Sequence, residues 1–259
     1  MGSFSFIGLG LNDESGLTLE GLEEARQAES AFVEFYTNLV PNLNLDKLER
    51  LIGKEITVVS RVQLEDESGR VVLAAARNGR TVLLVPGDPM IATTHISLRL
   101  TLHKNGIHSR IVHAPSITSA ICGATGLQNY KFGKSVTVPN PLPLPASVLD
   151  TLSDNFGRGL HTLLLLDIDP STNKQLTIGE ALSRIKAASP KTENRLAVGA
   201  ARLGSRDEIV KASRIKALAQ EDFGTPPHSI VVPGKLHFME VEALKAFCNA
   251  RSSDFGEDF

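Results

Sequence analysis

Short runs of aliphatic and β-branched residues alternate along this chain with longer segments whose apolar positions recur every three or four residues. The short runs predict buried strands, and the longer segments predict amphipathic helices. The predicted strands are 4–7, 31–35, 56–59, 82–85, 110–113, 135–138, 161–168, 196–200 and 229–232. The predicted helices are 18–29, 45–52, 71–77, one that carries His95, Leu98 and Leu102, one from Thr177 to about 188, and a last one with Val241, Leu244 and Phe247.

The alternation of strand and helix indicates an α/β protein with a mostly parallel sheet. The pattern changes near Pro115, and four prolines between positions 139 and 145 exclude a helix or a central strand there. The sequence therefore predicts two α/β domains, 1–112 and 113–259.

Several residues mark where the predicted helices begin and end. Thr18 has the position of an N-cap, and Gly53 stands where the second helix must stop. Thr177 and Glu180 have the spacing of a capping box.

Composition narrows the classes of function. The formal net charge is -2 and the hydrophobic content is 42%, so nothing indicates the basic surplus of a nucleic-acid-binding protein. Cys122 and Cys248 are too far apart for a CxxC metal or redox motif, and reduced thiols are expected. No segment approaches the roughly 20 apolar residues that span a bilayer. The expectation is a cytoplasmic protein without a membrane or nucleic-acid partner.

The turn after the strand at 82–85 is the first candidate for chemistry. Gly87 permits a left-handed or closely approached backbone, and Pro89 keeps Asp88 out of the helical region. Asp88 thus follows the carboxyl end of a strand, where open α/β sheets bind ligands. The alternative interpretation is a plain turn in which Asp88 caps the next helix.

The turns after two further predicted strands are also candidates for ligand binding. Gly8 and Gly10 follow the first strand, but Asp13 stands where the dinucleotide fingerprint needs its third glycine, so the match fails. Ser116 follows the strand at 110–113 and either contacts a ligand or only caps a helix from Ile117. The histidines do not have metal-ligand spacing, and no metal site is predicted.

Together, ten sequence blocks resemble the diphthine synthase branch of the tetrapyrrole-methylase superfamily. They are FIGLGL (6–11), EFYT (34–37), PGDP (86–89), ATTH (92–95), HAPSI (113–117), YKFGKS (130–135), GLHTLL (159–164), EDFG (221–224), PPH (226–228) and VPGKLH (232–237). GLGL and PGDP are typical of the whole superfamily, whereas EFYT, ATTH, HAPSI, YKFGKS and PPH narrow the resemblance to the branch.

The resemblance implies two α/β domains of the tetrapyrrole-methylase type, with S-adenosyl-L-methionine in the cleft between them and a homodimer as the assembly. Carried over by position, the implied cofactor contacts are Leu11, Asp88, Ile91, Ser116, Ile117, Leu166, Leu203 and His228. Asp88 is expected to hold the cofactor rather than to act as a base, and no residue is assigned as catalytic.

The implied reaction is trimethylation of the amino group on the 3-amino-3-carboxypropyl arm of a modified histidine in translation elongation factor 2, which gives diphthine. Lys131 and Lys134 then either meet an acidic surface of that partner or are solvated loop lysines. Two other functions remain open on architecture alone: a nicotinamide-dependent oxidoreductase, and a regulatory module that only senses the cofactor.

Overall fold

The computed structural model describes residues 2–169, 172 and 174–256. The chain divides into two compact units, Met1–Ile117 and Thr118–Phe259. The sequence predicts a boundary after residue 112, at the end of a strand, whereas the compact units divide at the start of the helix that follows.

The first unit alternates strands and helices in chain order. Its elements are β1 (Ser3–Gly8), α1 (Leu19–Gln27), β2 (Ser30–Val33), α2 (Leu45–Ile52), β3 (Thr57–Val58), a π-helical turn (Val62–Asp66), α3 (Arg70–Asn78), β4 (Arg80–Val85), α4 (His95–Lys104) and β5 (His108–Val112).

These five strands form one parallel sheet in the order β3-β2-β4-β1-β5. Side chains alternate between the two faces, so Phe6 packs in one hydrophobic cluster and its neighbour Ile7 in another. Burial on both faces explains why the central strands read as continuous apolar runs. The prediction of a parallel sheet is confirmed for this unit.

Local signals set the helix ends as predicted. The Thr18 side chain accepts a hydrogen bond from the backbone N–H of Gly21 and caps α1. Gly53 ends α2 with a φ of 77°, in the left-handed region that favours glycine. In α4, His95, Leu98 and Leu102 form the buried face.

The second unit has a longer series of elements. They are α5 (Ile117–Thr125), β6 (Val136–Val138), α6 (Ala146–Gly157), β7 (Thr162–Leu166), β8 (Ile168–Asp169), β9 (Lys174–Gln175), α7 (Ile178–Ala188), β10 (Leu196–Ala201), β11 (Ile209–Arg214), α8 (Ile215–Leu218), β12 (His228–Val232) and α9 (Phe238–Cys248).

The second sheet has the order β11-β10-β12-β7-β6 and is mixed rather than mostly parallel. Only β6 and β7 pair in parallel, whereas β10 pairs with β11 and β12, and β12 with β7, in antiparallel fashion. The prediction of a mostly parallel sheet is therefore wrong for this unit. Strand β11 escaped prediction because only Ala212 in it is buried, so it lacks the apolar alternation of a half-buried strand.

A buried carboxylate, Glu240 of α9, ties several segments of the second unit together. Its side chain is fully buried and forms an ion pair with Lys131, and it accepts hydrogen bonds from the backbone N–H groups of Gln128 and His237 at 2.9 and 2.8 Å. His161 Nε2 lies 2.9 Å from Glu240 Oε1, the oxygen that also accepts the Gln128 N–H. Burial alone would raise the pKa of Glu240, but these donors outweigh it and lower the pKa to about 2.

The hydrogen-bond directions define the state of His161. The backbone N–H of Gly234 donates to His161 Nδ1 at 3.1 Å, so the ring proton lies on Nε2 and points at Glu240. Burial lowers the pKa of His161. The pair is therefore a neutral imidazole on an ionised carboxylate. Because the Lys131 ammonium also contacts Glu240, it is paired within the unit and is not a solvated loop lysine.

Candidate functional site

Three loops of the first unit meet at the carboxyl edge of its sheet. They follow β1, β4 and β5, which are adjacent strands. Gly10 and Gly87 exchange two backbone hydrogen bonds, of 3.2 and 2.8 Å, which join the first two loops. A Cβ on Gly8 would lie 2.5 Å from the Gly87 carbonyl oxygen and 2.6 Å from Ala114 Cβ. The glycine at position 8 is therefore required by close packing of all three loops.

Gly87 has a different role from Gly8. Its φ is +66°, and a Cβ at this position would meet no atom within 4 Å. The loop backbone therefore turns through a conformation that glycine favours while it leaves open space beside itself. Such a backbone edge can be approached closely by a ligand.

Asp88 lies at the centre of this edge. It is buried, its Oδ1 accepts the N–H of Met90 at 3.0 Å, and its Oδ2 lies 2.7 Å from His113 Nδ1. The N–H of Ala114 reaches the same Oδ2 at a longer 3.4 Å. The carboxylate thus braces its own turn and the loop after β5, and it retains acceptor capacity on Oδ1.

The other predicted residues of the first unit lie on the same three loops. Leu11 directly follows the Gly10–Gly87 bridge, and the N–H of Ile91 donates to the Asp88 carbonyl at 3.2 Å in a turn. Ser116 is buried, and α5 begins at Ile117. The structure therefore brings all five predicted positions of this unit to one edge.

The three predicted residues of the second unit also share one sheet edge. Strand β12 runs antiparallel to both β10 and β7, so its first residue lies beside the last residues of the other two. His228 pairs with Ala201, two positions before Leu203, and Leu166 ends β7 one position beyond Leu165, the partner of Ser229. All three predicted side chains are buried.

His228 carries an unsatisfied polar atom. Its Nδ1 accepts the backbone N–H of Ile178 at 3.4 Å, which places the ring proton on Nε2. Nε2 is buried and has no hydrogen-bond partner among the residues that the structure describes. Burial, and next the positive charge of Arg202, lower the pKa of His228, so the ring is neutral. A buried donor without an acceptor is costly, and a bound ligand with an acceptor would satisfy it.

Two residues that support His228 were missed from the sequence. The Gln175 side chain accepts the backbone N–H of His228 at 2.7 Å and donates to the Leu166 carbonyl at 3.2 Å, and so links two predicted positions. The buried Arg202 guanidinium donates to the carbonyls of Phe223 and Thr225, in the loop before His228. A lone Gln or Arg has no sequence pattern that would have revealed these roles.

The EFYT and ATTH blocks also come together, although they are far apart in sequence. Glu34, fully buried after β2, accepts the Thr37 hydroxyl at 2.5 Å and lies 3.3 Å from His95 Nε2 at the start of α4. Burial, and next the Glu34 charge, raise the pKa of the Tyr36 hydroxyl, so it stays protonated at neutral pH. Glu34 thus ties the loop after β2 to the start of α4, whereas the buried Tyr36 hydroxyl has no hydrogen-bond partner among the residues that the structure describes.

The donor set fits an organic cofactor better than a metal ion. No group of three or more metal-ligating side chains occurs within the described ranges. The first unit offers glycine-turned backbone, one carboxylate and open space, and the second offers aliphatic walls and one free imidazole N–H. Each of these two sets, taken within its own unit, suits an organic ligand with apolar surface to bury and a few hydrogen bonds to make. In the same ranges, no helix is both long and apolar enough to cross a membrane.

Comparison with known proteins gives a consistent result. Residues 3–219 match the family model of tetrapyrrole (corrin/porphyrin) methylases. The chain is 42% identical over 257 residues to the diphthine synthase of Methanococcoides burtonii. This alignment covers 95% of this chain and 96% of that protein. It is 41% identical over 248 residues to that of Archaeoglobus fulgidus, with coverage of 95% and 96%. A crystal structure of diphthine synthase superposes with a TM-score of 0.90 at 40% identity and covers 96% of this chain and 97% of that one.

Proposed function

The chain belongs to the tetrapyrrole methylase family, and from this premise we propose that it catalyses the diphthine synthase reaction. In that reaction, S-adenosyl-L-methionine donates methyl groups to the amino group of the 3-amino-3-carboxypropyl arm on a histidine of translation elongation factor 2. Three transfers give diphthine, in the biosynthesis of diphthamide. One observation carries the proposal: identity of 42% to a diphthine synthase extends over 95% of this chain and 96% of that protein.

The chemistry demands little beyond positioning. A sulfonium methyl carbon is already activated, so holding the attacking nitrogen in line with the departing sulfur supplies most of the acceleration. The chain's task is therefore to bind the donor, orient the amine and accept its proton. The glycine-turned loops of the first unit and the hydrogen-bonded polar clusters of both units suit that task.

We assign the cofactor contacts to two sets of residues. In the first unit they are Leu11, Asp88, Ile91, Ser116 and Ile117, and Asp88 retains an acceptor site for a ribose hydroxyl or an amino group. In the second unit they are Leu166, Leu203 and His228, and the free Nε2–H of His228 supplies a donor. Support for each set is its convergence on one sheet edge within its own unit.

The remaining parts of the proposal concern partners. Elongation factor 2 is the protein substrate, the working assembly is a homodimer, and the cytoplasm is the compartment in which this substrate is met. Support comes from the family resemblance. Lys134 remains an exposed positive charge available to an acidic partner, whereas Lys131 is engaged by Glu240.

The deciding experiment is mass spectrometry of elongation factor 2 that carries the unmethylated arm, after incubation with this protein and isotope-labelled S-adenosyl-L-methionine. Three added methyl groups on the modified histidine are expected. A fourth methyl, released by mild base, would reveal an additional methyl ester. Label on a tetrapyrrole precursor and none on the factor would assign the chain to another branch of the family.

Calorimetry separates the other classes of function. Binding of S-adenosyl-L-homocysteine without binding of NAD is expected, and the reverse preference would indicate an oxidoreductase. Tight cofactor binding with no transfer to any protein would indicate a sensor module instead.

A further inference from the structure

We propose that His113 is the general base that removes the proton from the substrate amine, and that Asp88 orients it. The inference rests on the proposed function and assigns the proton acceptor that the methyl-transfer reaction needs.

Asp88 and His113 differ in burial, since the carboxylate is held in place and most of the imidazole is exposed. Asp88 is buried, and backbone N–H groups hold it, that of Met90 on one carboxylate oxygen and that of Ala114 on the other. The His113 side chain, by contrast, is 71% exposed, although its Nδ1 lies only 2.7 Å from Asp88 Oδ2. The ring is therefore held by one nitrogen while most of its surface faces outward.

This contact defines which nitrogen of His113 is basic. An ionised carboxylate can only accept hydrogen bonds, so Nδ1 must carry the proton that bridges to Asp88. In the neutral ring, Nε2 then has a free lone pair and can accept a proton. The resulting imidazolium is stabilised by the Asp88 carboxylate, as in other carboxylate–histidine pairs.

The location of the pair matches the reaction. His113 directly follows β5, Asp88 follows β4, and the open space beside Gly87 lies on the same loop as Asp88. Leu11, Ile91 and Ser116, proposed above as cofactor contacts, lie on these same strand-end loops. The amine that accepts the methyl group must approach the cofactor at these loops, and His113 lies there to take its proton.

The proton balance requires such a base. In each round, the unprotonated amine nitrogen forms a bond to the methyl carbon as the carbon–sulfur bond breaks, and the electron pair of that bond stays on sulfur. The positive charge passes from sulfur to nitrogen. The starting ammonium and the mono- and dimethylated ammonium must each lose one proton before the next attack. His113 Nε2 accepts each proton and releases it to water, which its exposure allows.

The other histidines in the family's sequence blocks are less suited. His95, His161 and His228 are at most 3% exposed, so none of them can pass a proton directly to water. His237 is exposed, but its Nδ1 accepts the Met239 N–H as the cap of α9, which leaves the proton of the neutral ring on Nε2. His161 is also committed at both ring nitrogens, to Gly234 and Glu240.

The test compares His113→Gln and His113→Gly with a control, His108→Gln, which removes an exposed histidine from the opposite end of β5. Single-turnover methylation of elongation factor 2 carrying the unmethylated arm is expected to slow by about 100-fold or more in both His113 variants. Added imidazole should restore part of the rate in His113→Gly. Calorimetry with S-adenosyl-L-homocysteine should give unchanged affinity, which also verifies folding.

A second measurement does not depend on activity. Nitrogen-15 NMR of the wild-type histidine rings, with His113 assigned from the variant, should show a protonated Nδ1 and an unprotonated Nε2. The opposite tautomer would overturn the assignment, as would a His113→Gln rate within threefold of an active wild type. A wild-type protein that transfers no methyl group to the factor would instead refute the proposed function, and this inference with it.

Discussion

The Asp88–His113 pair of the first unit and the Glu240–His161 pair of the second both join a histidine to a buried carboxylate, and they differ in what surrounds them. In the first unit, Asp88 holds His113 by one nitrogen and leaves the ring 71% exposed. In the second unit, Glu240 holds His161, which is fully buried and engaged at both nitrogens. A carboxylate and an imidazole thus form a proton acceptor at a sheet edge in one unit, and they hold segments together in the interior of the other.

The difference follows from the two sheets. All five strands of the first sheet are parallel, so the loops after β1, β4 and β5 meet at one carboxyl edge, where the His113 side chain is exposed beside the buried Asp88. The second sheet is mixed, and Glu240 instead reaches loops from distant parts of the unit, where burial demands that every polar atom be paired. Family resemblance in a sequence block therefore does not by itself indicate a ligand contact.

The largest expected effect is loss of the second unit's brace. Glu240→Ala would leave the partly buried Lys131 charge and the donors of Gln128, His161 and His237 without their acceptor, and we expect a loss of about 3–5 kcal/mol in the free energy of unfolding. Urea unfolding followed by circular dichroism measures it. Glu242→Ala, on the exposed side of α9, should cost at most about 0.5 kcal/mol. Equal losses in the two variants would show that Glu240 is not a brace.

As the pH falls, the second unit should lose stability in two steps, first through His161 and then through Glu240. The pKa of His161 is lowered in the folded protein, so the folded state favours the neutral ring. Its contribution to the free energy of unfolding is therefore complete above the unfolded pKa of 6.5 and is lost as the pH falls below that value. Glu240, with a pKa of about 2 against 4.5 unfolded, contributes about 3 kcal/mol that is complete above pH 4.5 and decreases as the pH falls toward 2.

Hydrogen exchange of β7 and β12, corrected for intrinsic rates, should therefore show protection that falls in two stages. The charge-neutral variant Glu240→Gln should abolish the lower stage. If that stage persisted unchanged in Glu240→Gln, its assignment to this carboxylate would be wrong.

Cofactor affinity tests the proposed contacts of both units. Asp88→Asn removes the carboxylate charge, and His228→Asn keeps an acceptor near the Nδ1 position while it removes the Nε2–H. Each variant should weaken binding of S-adenosyl-L-homocysteine by about 1–3 kcal/mol, or roughly 5- to 150-fold in Kd. Isothermal titration calorimetry gives the values. Asp88→Asn with unchanged affinity but slower turnover would mean that Asp88 acts only through His113.

The smallest expected effect compares two helix caps. Thr177 of α7 forms a complete capping box with Glu180, whereas Thr18 of α1 makes a single cap bond to Gly21. Thr177→Ala should cost about 1–2 kcal/mol and Thr18→Ala about 0.5–1 kcal/mol, measured by urea unfolding. A larger loss at Thr18 would contradict this ranking.

The first unit was predicted from the sequence in most respects. Strands β2 and β4 are mostly continuous apolar runs because both faces of the sheet are buried there, and helices begin and end at residues such as Thr18 and Gly53 whose local chemistry is sufficient. The glycine- and proline-marked turns also placed Asp88 at a strand end. These features depend on residues that are close in sequence, so the pattern of side chains along the chain predicts them directly.

Other features were decided only by the tertiary structure. Strand β11 and the mixed second sheet depend on pairing with β10, and the Asp88–His113, Glu34–His95 and Glu240–His161 contacts join positions 25, 61 and 79 residues apart. Periodicity records whether a residue faces the core, but not which distant polar group will face it there. That choice depends on the register of the strands and the packing of the loops, and it separates a histidine that can exchange protons with water from one that cannot.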